Sequence, residues 1–175
     1  MPKANRTIKL LGFVQSVMTE DRWHEAIKLL KANSPLVEKN WELLWNLGWC
    51  YFKLGRMDEA HKYLTRAMQL APKNHACMFG LGSIYLKQKQ YKKAASFLSD
   101  ALQLKDLHAT RMGLAIAYIA QGKIEEAENT LLDGIRLKPT ESERYESYAA
   151  FLHDRGREAE ADKMNRKARE LQHLN

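Results

Sequence analysis

An alanine close behind charged residues recurs at Ala26, Ala60, Ala94, Ala127 and Ala161, with separations of 34, 34, 33 and 34 residues. A period of this length means that each stretch forms the same supersecondary unit, and that neighbouring units bury one another's apolar faces. Five such units account for nearly all of the 175 residues. Little is left for a separate catalytic domain.

Other residues keep the same register. Leu47, Gly48, Tyr51, Gly55, Ala60, Leu64, Ala67 and Pro72 mark one unit, and Leu81, Gly82, Tyr85, Tyr91, Ala94, Leu98 and Ala101 mark the next. A third carries Leu114, Ala115, Tyr118, Gly122, Ala127, Leu131, Gly134 and Pro139. Small residues such as Gly48, Ala60 and Ala67 let two helices approach closely, while Leu44, Leu47 and Tyr51, at i, i+3 and i+7, fill the space between units. Gly55 and Gly122 fall between the helices of their units, and Pro72 and Pro139 fall between units, where a missing N–H is tolerated. Each unit is therefore predicted to be an antiparallel helical hairpin. Abundant helix formers, with four prolines and nine glycines, support an all-α chain.

These residues resemble the tetratricopeptide repeat, with its Trp-x2-Leu-Gly-x2-Tyr, Ala-x3-Phe and Pro pattern over 34 residues. Lys89 stands where that pattern has glycine, and Asp106 where it has proline. The resemblance implies an α-solenoid of stacked antiparallel hairpins in a right-handed superhelix. Residues 1–175 are read as a single repeat domain, with units at 41–74, 75–107 and 108–141 between a degenerate N-terminal cap at 7–40 and a degenerate C-terminal cap at 142–175. In the first cap, Val14 and Asn33 take small-residue positions and Asp21 replaces the turn glycine. The last interleaves acidic with basic residues, as a hairpin facing water would.

In repeats of this family the first helix of each hairpin lines the concave surface. The positions beside its buried stripe are Trp45, Trp49 and Phe52 in the second unit, Phe79, Ser83 and Leu86 in the third, and Met112, Ile116 and Ile119 in the fourth. The first unit offers Leu11, Gln15 and Met18, and the last Glu146, Ala150 and His153, so the apolar stripe fades towards the C-terminus. A groove of this composition suits an apolar or amphipathic segment of another protein. The alternatives are a groove filled by the chain's own helices or by a homodimer contact. The carboxylate clamp known in the family uses lysine, arginine and asparagine, whereas here Trp45, Trp49, Ala109 and Gly113 occupy those places; only Asn46 and Ser83 nearby are polar.

The net charge of +7 arises from 28 basic and 21 acidic residues. The excess lies in the first three units, and Lys87, Lys89, Lys92 and Lys93 cluster where an acidic flank of a partner could be steered. RNA binding is the alternative from another class, but it calls for polar side chains and arginine along the inner face, where this chain has Trp45, Trp49, Ile116 and Ile119. A purely structural homo-oligomer is a third reading.

No phosphate loop, nucleophile elbow or His-Glu-x-x-His occurs, and His75 with Cys77 is a two-ligand fragment. An enzyme, a metal site and a cofactor are accordingly not expected. Two cysteines, Cys50 and Cys77, fit a reducing compartment. The segment from Ile8 to Met18 is broken by Lys9 and Gln15 and does not read as a signal peptide. No run approaches the ~18 apolar residues of a spanning helix. A cytoplasmic adaptor, assembly factor or chaperone is the resulting expectation.

Overall fold

Recurring left-handed residues set the architecture. In the computed structural model, which describes residues 3–173, the non-helical turn residues with positive φ are Asp21 (56°), Gly55 (75°), Lys89 (58°), Gly122 (75°) and Gly156 (70°). They repeat at the spacing of the alanines. After Gly55 the chain turns back through two hydrogen bonds: Gly55 N–H donates to Phe52 O at 3.0 Å and Arg56 N–H to Tyr51 O at 2.9 Å. Gly122 and Gly156 repeat this pairing, which satisfies the last carbonyls of a helix while reversing its direction. Asp21 and Lys89 adopt the same conformation with a Cβ, against the steric preference of L-residues.

Eleven helices and no strand occur among the described residues. They fall into two compact units, Met1–Gln88 and Lys89–Asn175. The first unit holds α1 (Lys3–Thr19), α2 (Trp23–Ala32), the single turn α3 (Ser34–Val37), α4 (Trp41–Lys53), α5 (Met57–Leu70) and α6 (His75–Lys87). Asparagine side chains start two of its helices. Asn40 Oδ1 accepts from Leu43 N–H at 2.9 Å to open α4, and Asn74 Oδ1 accepts from Ala76 N–H at 2.9 Å and Cys77 N–H at 3.2 Å to open α6. α1 packs on α4 and α4 on α6, while α2 and α5 pack against these first helices.

The close approach of α4 and α5 depends on Gly48. A Cβ there would lie 2.7 Å from Leu64 Cγ and 3.1 Å from the Leu64 backbone nitrogen. Ala60 and Ala67 on α5 are fully buried at the same contact. Tyr51, also buried, stacks on Tyr63 with centroids 5.5 Å apart, and the Arg56 guanidinium lies 4.8 Å from the Tyr51 ring. Cys50 and Cys77 are buried free thiols, and burial pushes them up to about 12 and about 11 respectively, so both stay protonated and inert.

The second unit comprises α7 (Tyr91–Leu104), α8 (His108–Ile119), α9 (Ile124–Leu137), α10 (Ser142–His153) and α11 (Glu158–Gln172), each packed on the next. Asp106, which takes the place of the expected proline, anchors a buried ion cluster. Its carboxylate accepts from Arg111 Nε at 2.8 Å and Nη2 at 3.2 Å, and lies 3.4 Å from Arg144 Nη1. Arg144 also donates through Nε to Glu141 at 2.6 Å, and Arg111 through Nη1 to Thr130 O at 2.9 Å. Both arginines are buried. Gly134 makes room for them: a Cβ there would meet Arg111 Cδ and Arg144 Nη1, each at 2.9 Å. Its small size thus serves two arginines. Near the C-terminal end, Glu128 accepts from Tyr148 Oη at 2.7 Å and from Arg157 Nη1 at 2.6 Å, which ties α9 to α10 and to the turn before α11.

Lys89→Gly should raise the unfolding free energy by about 1 kcal/mol and Asp21→Gly by less, because aspartate tolerates the left-handed region better. Gly55→Ala should lower it by about 1 kcal/mol; urea titration measures all three. Burial pushes the Asp106 carboxyl up, but the hydrogen bonds and charges of Arg111 and Arg144 outweigh this and hold it below its ordinary value. Its stabilising effect is therefore complete above the ordinary aspartate range and lost as pH falls through the depressed value. Asp106→Asn should cost about 3 kcal/mol at neutral pH by leaving two buried guanidinium groups undercompensated, and should flatten the loss of stability below about pH 4.

Candidate functional site

The first unit places most of its aromatic residues on the layer formed by its first helices. Trp45, Trp49 and Phe52 project from one face of α4 because positions 4 and 3 apart share a helix face, and all three are half-buried. Phe79 and Leu86 on α6 are also half-buried. The rings form one connected strip. Trp45 and Trp49 stack at 5.2 Å and 10°, Trp49 and Phe52 at 4.9 Å and 25°, and Trp49 meets Phe79 at 5.7 Å and 34°.

The members of the strip differ in role. Trp45 Nε1 donates to Ala76 O at 2.8 Å, joining α4 to the first turn of α6. Gly80 permits this contact, since a Cβ there would sit 3.3 Å from the indole nitrogen and 3.0 Å from Leu64 Cδ1. Trp45 is thus a staple between helices as well as part of the surface. Trp49 and Phe52 lie further along the helix and are half-buried. Ser83 is buried, and its hydroxyl donates to Phe79 O at 2.8 Å within α6, so it supports the strip from below.

A small cavity of about 180 Å³ opens beside Trp45 and is lined by Gln15, Trp41, Glu42, Asn46 and Ala76. Gln15 had a sequence signal, as one of the first unit's inner-face positions. Trp41 had none beyond its place one turn before Trp45 on the same helix. Ile8, 68% exposed, and Phe13, 55% exposed, are large apolar residues of α1 that the repeat register did not single out.

In the second unit the stripe is thinner. Met112 and Ile119 pack against the core of α8, α9 and α10, whereas Ile116 is 48% exposed. Lys87 closes α6, Lys89 occupies the left-handed turn, and Lys92 and Lys93 lie in the first turn of α7; all four are exposed. Among the described residues no three histidine, cysteine, aspartate or glutamate side chains are placed to hold a metal ion, and no helix is long and apolar enough to cross a membrane.

Helical hairpins at a 34-residue period, with an aromatic strip on their first helices, define an α-helical repeat protein that presents side-chain surface to its surroundings. The chain belongs to the tetratricopeptide-repeat family: models of that repeat match residues 44–106 and 108–132. No curated protein matches it in sequence. Among solved structures it is similar to MamA 41-end from Desulfovibrio magneticus RS-1, at 20% identity and a TM-score of 0.74, over 100% of this chain and 98% of that one. It is also similar to another MamA crystal structure at 23% identity and a TM-score of 0.71, over 92% of this chain and 95% of that one. At these identities the likeness concerns the fold.

Trp45→Phe should keep the ring stack but lose the bond to Ala76. It is expected to lower stability by about 1 kcal/mol more than Trp49→Phe, in a denaturant titration read by circular dichroism.

Proposed function

We propose that this protein is a protein-binding adaptor or assembly factor, acting through its five hairpins as one repeat domain. Its first helices accept an apolar or amphipathic segment of a partner without covalent chemistry. The observation that carries this reading is the strip of Trp45, Trp49, Phe52 and Phe79: large rings half-exposed on contiguous first helices, away from the fully buried core. Tryptophan and phenylalanine offer large contact area at low entropic cost, and contiguous apolar surface on a soluble chain marks interaction sites. Leu86 belongs to the same proposed contact set, with Ser83 as a support; Met112, Ile116 and Ile119 are proposed contacts of the second unit by itself. Lys87, Lys89, Lys92 and Lys93 act at longer range, where cations raise association rates in a salt-dependent way. Masking of an apolar segment in this way would serve a chaperone as well as an adaptor. The free thiols of Cys50 and Cys77 support a reducing, cytoplasmic setting.

Base-stacking RNA recognition fits the strip less well. It needs open ring faces, and here the Trp49 ring stacks with both Trp45 and Phe52.

A photo-crosslinking residue placed at Phe52 or Ile116 in cells should capture a partner protein, and the same residue at the exposed Lys62 of α5 should not. Equal capture from Lys62, or cross-links from Phe52 and Ile116 to nucleic acid, would remove the basis for this function.

A further inference from the structure

The charges of the first unit are sorted between its two helix layers. Met1–Gln88 contains thirteen basic and seven acidic residues, so nearly all of the net charge of +7 resides there. Its carboxylates, however, are concentrated around the second helices. Arg22 pairs with Glu20 and Glu25, Arg56 with Glu59, and Arg66 with Glu38. On the first helices the balance is reversed. α1 carries Lys3, Arg6 and Lys9 and no carboxylate, α4 ends in Lys53, α6 ends in Lys87, and the one acidic residue in all three is Glu42.

Arg6, Lys9, Lys53 and Lys87 are exposed, and among the described residues none of them is ion-paired. Lys53 and Lys87 close equivalent helices, each immediately after an apolar member of the stripe, Phe52 and Leu86. The Lys53 ammonium lies 5.3 Å from the Trp23 ring of α2, an attraction that orders the side chain without neutralising its charge. At its C-terminal end the apolar stripe is therefore followed by two exposed lysines without an ion pair among the described residues, on a first-helix layer whose one carboxylate is Glu42.

From this arrangement we infer that the occupant of the first unit's inner layer is an acidic amphipathic helix of a partner protein. This rests on the protein-binding function proposed above and adds the chemistry of the partner. The apolar side chains of such a helix, at i, i+3, i+4 and i+7, lie on Trp49, Phe52 and Phe79, and its carboxylates meet Lys53 and Lys87. A second copy of this chain is a poor occupant, because face-to-face pairing brings these cations together. Like charges placed opposite each other suppress a partner.

The test uses the full chain and three fluorescent peptides of about 18 residues with the same leucine stripe, whose polar positions are all Glu, all Gln or all Lys. Fluorescence anisotropy at low salt should show the Glu peptide binding at least roughly tenfold more tightly than the Gln peptide, with the Lys peptide weakest, and the preference collapsing near 0.5 M NaCl as the charges are screened. Lys53→Glu/Lys87→Glu should abolish the preference, and the milder Lys53→Gln/Lys87→Gln should reduce it, with both folds checked by circular dichroism. Equal binding of the Glu and Gln peptides would overturn the charge assignment and leave the apolar face standing. If no peptide binds, or light scattering shows a dimer that excludes them, both readings fall. Displacement of the Glu peptide by a single-stranded oligouridine would overturn the assignment in favour of nucleic acid.

Discussion

The turn that reverses the chain after each first helix is the constraint on which the rest depends. It demands one left-handed residue every 34 or so positions, and the structure supplies it at Asp21, Gly55, Lys89, Gly122 and Gly156. The backbone bonds around Gly55, Gly122 and Gly156 hold the turn. Asp21, in place of glycine, carries the same pair of bonds, Asp21 N–H to Met18 O and Arg22 N–H to Val17 O, each at 3.2 Å. The turn is therefore held by its backbone bonds and not by glycine alone.

Packing within the first unit creates the surface it exposes. Gly48 brings α4 against α5 through Leu64, and Gly80 admits the Trp45 indole between α4 and α6. With Trp45 pinned, Trp49 stacks on it, and Phe52 and Phe79 complete a strip of half-buried rings. A surface of this kind is preorganised. Its side chains are held by each other, so a partner need not order them on arrival.

The second unit solves its packing differently. A buried ion cluster replaces apolar contact at one junction: Asp106 bridges Arg111 and Arg144, with Glu141 at the edge and Gly134 clearing the space. A buried guanidinium group is costly without a matched carboxylate, so the cluster fixes one geometry of the α7–α8 connection relative to α10. Most of its first-helix apolar positions are turned to the core, and Ile116 alone among those singled out is largely exposed.

Much of the fold was legible in the sequence because its determinants are local and repeated. The spacing of alanines, the turn residues at Gly55 and Gly122 and the small residues at Gly48, Ala60 and Ala67 state the hairpins and their close contacts without reference to distant residues. The face of α4 bearing Trp45, Trp49 and Phe52 likewise follows from helical spacing. What those residues do required the tertiary structure. Nothing in the sequence distinguishes Trp45, bonded to Ala76 O thirty-one positions away, from Trp49, which lacks that bond. Nor does it show that Ser83 lies beneath the strip or that Gly134 accommodates two arginines. The sequence by itself determined a helical repeat protein with an apolar, basic first half, because periodicity and composition are properties of the chain. Only the tertiary structure decided which rings are staples and which are surface, and which charges neutralise one another, because burial and ion pairing depend on groups brought together by folding.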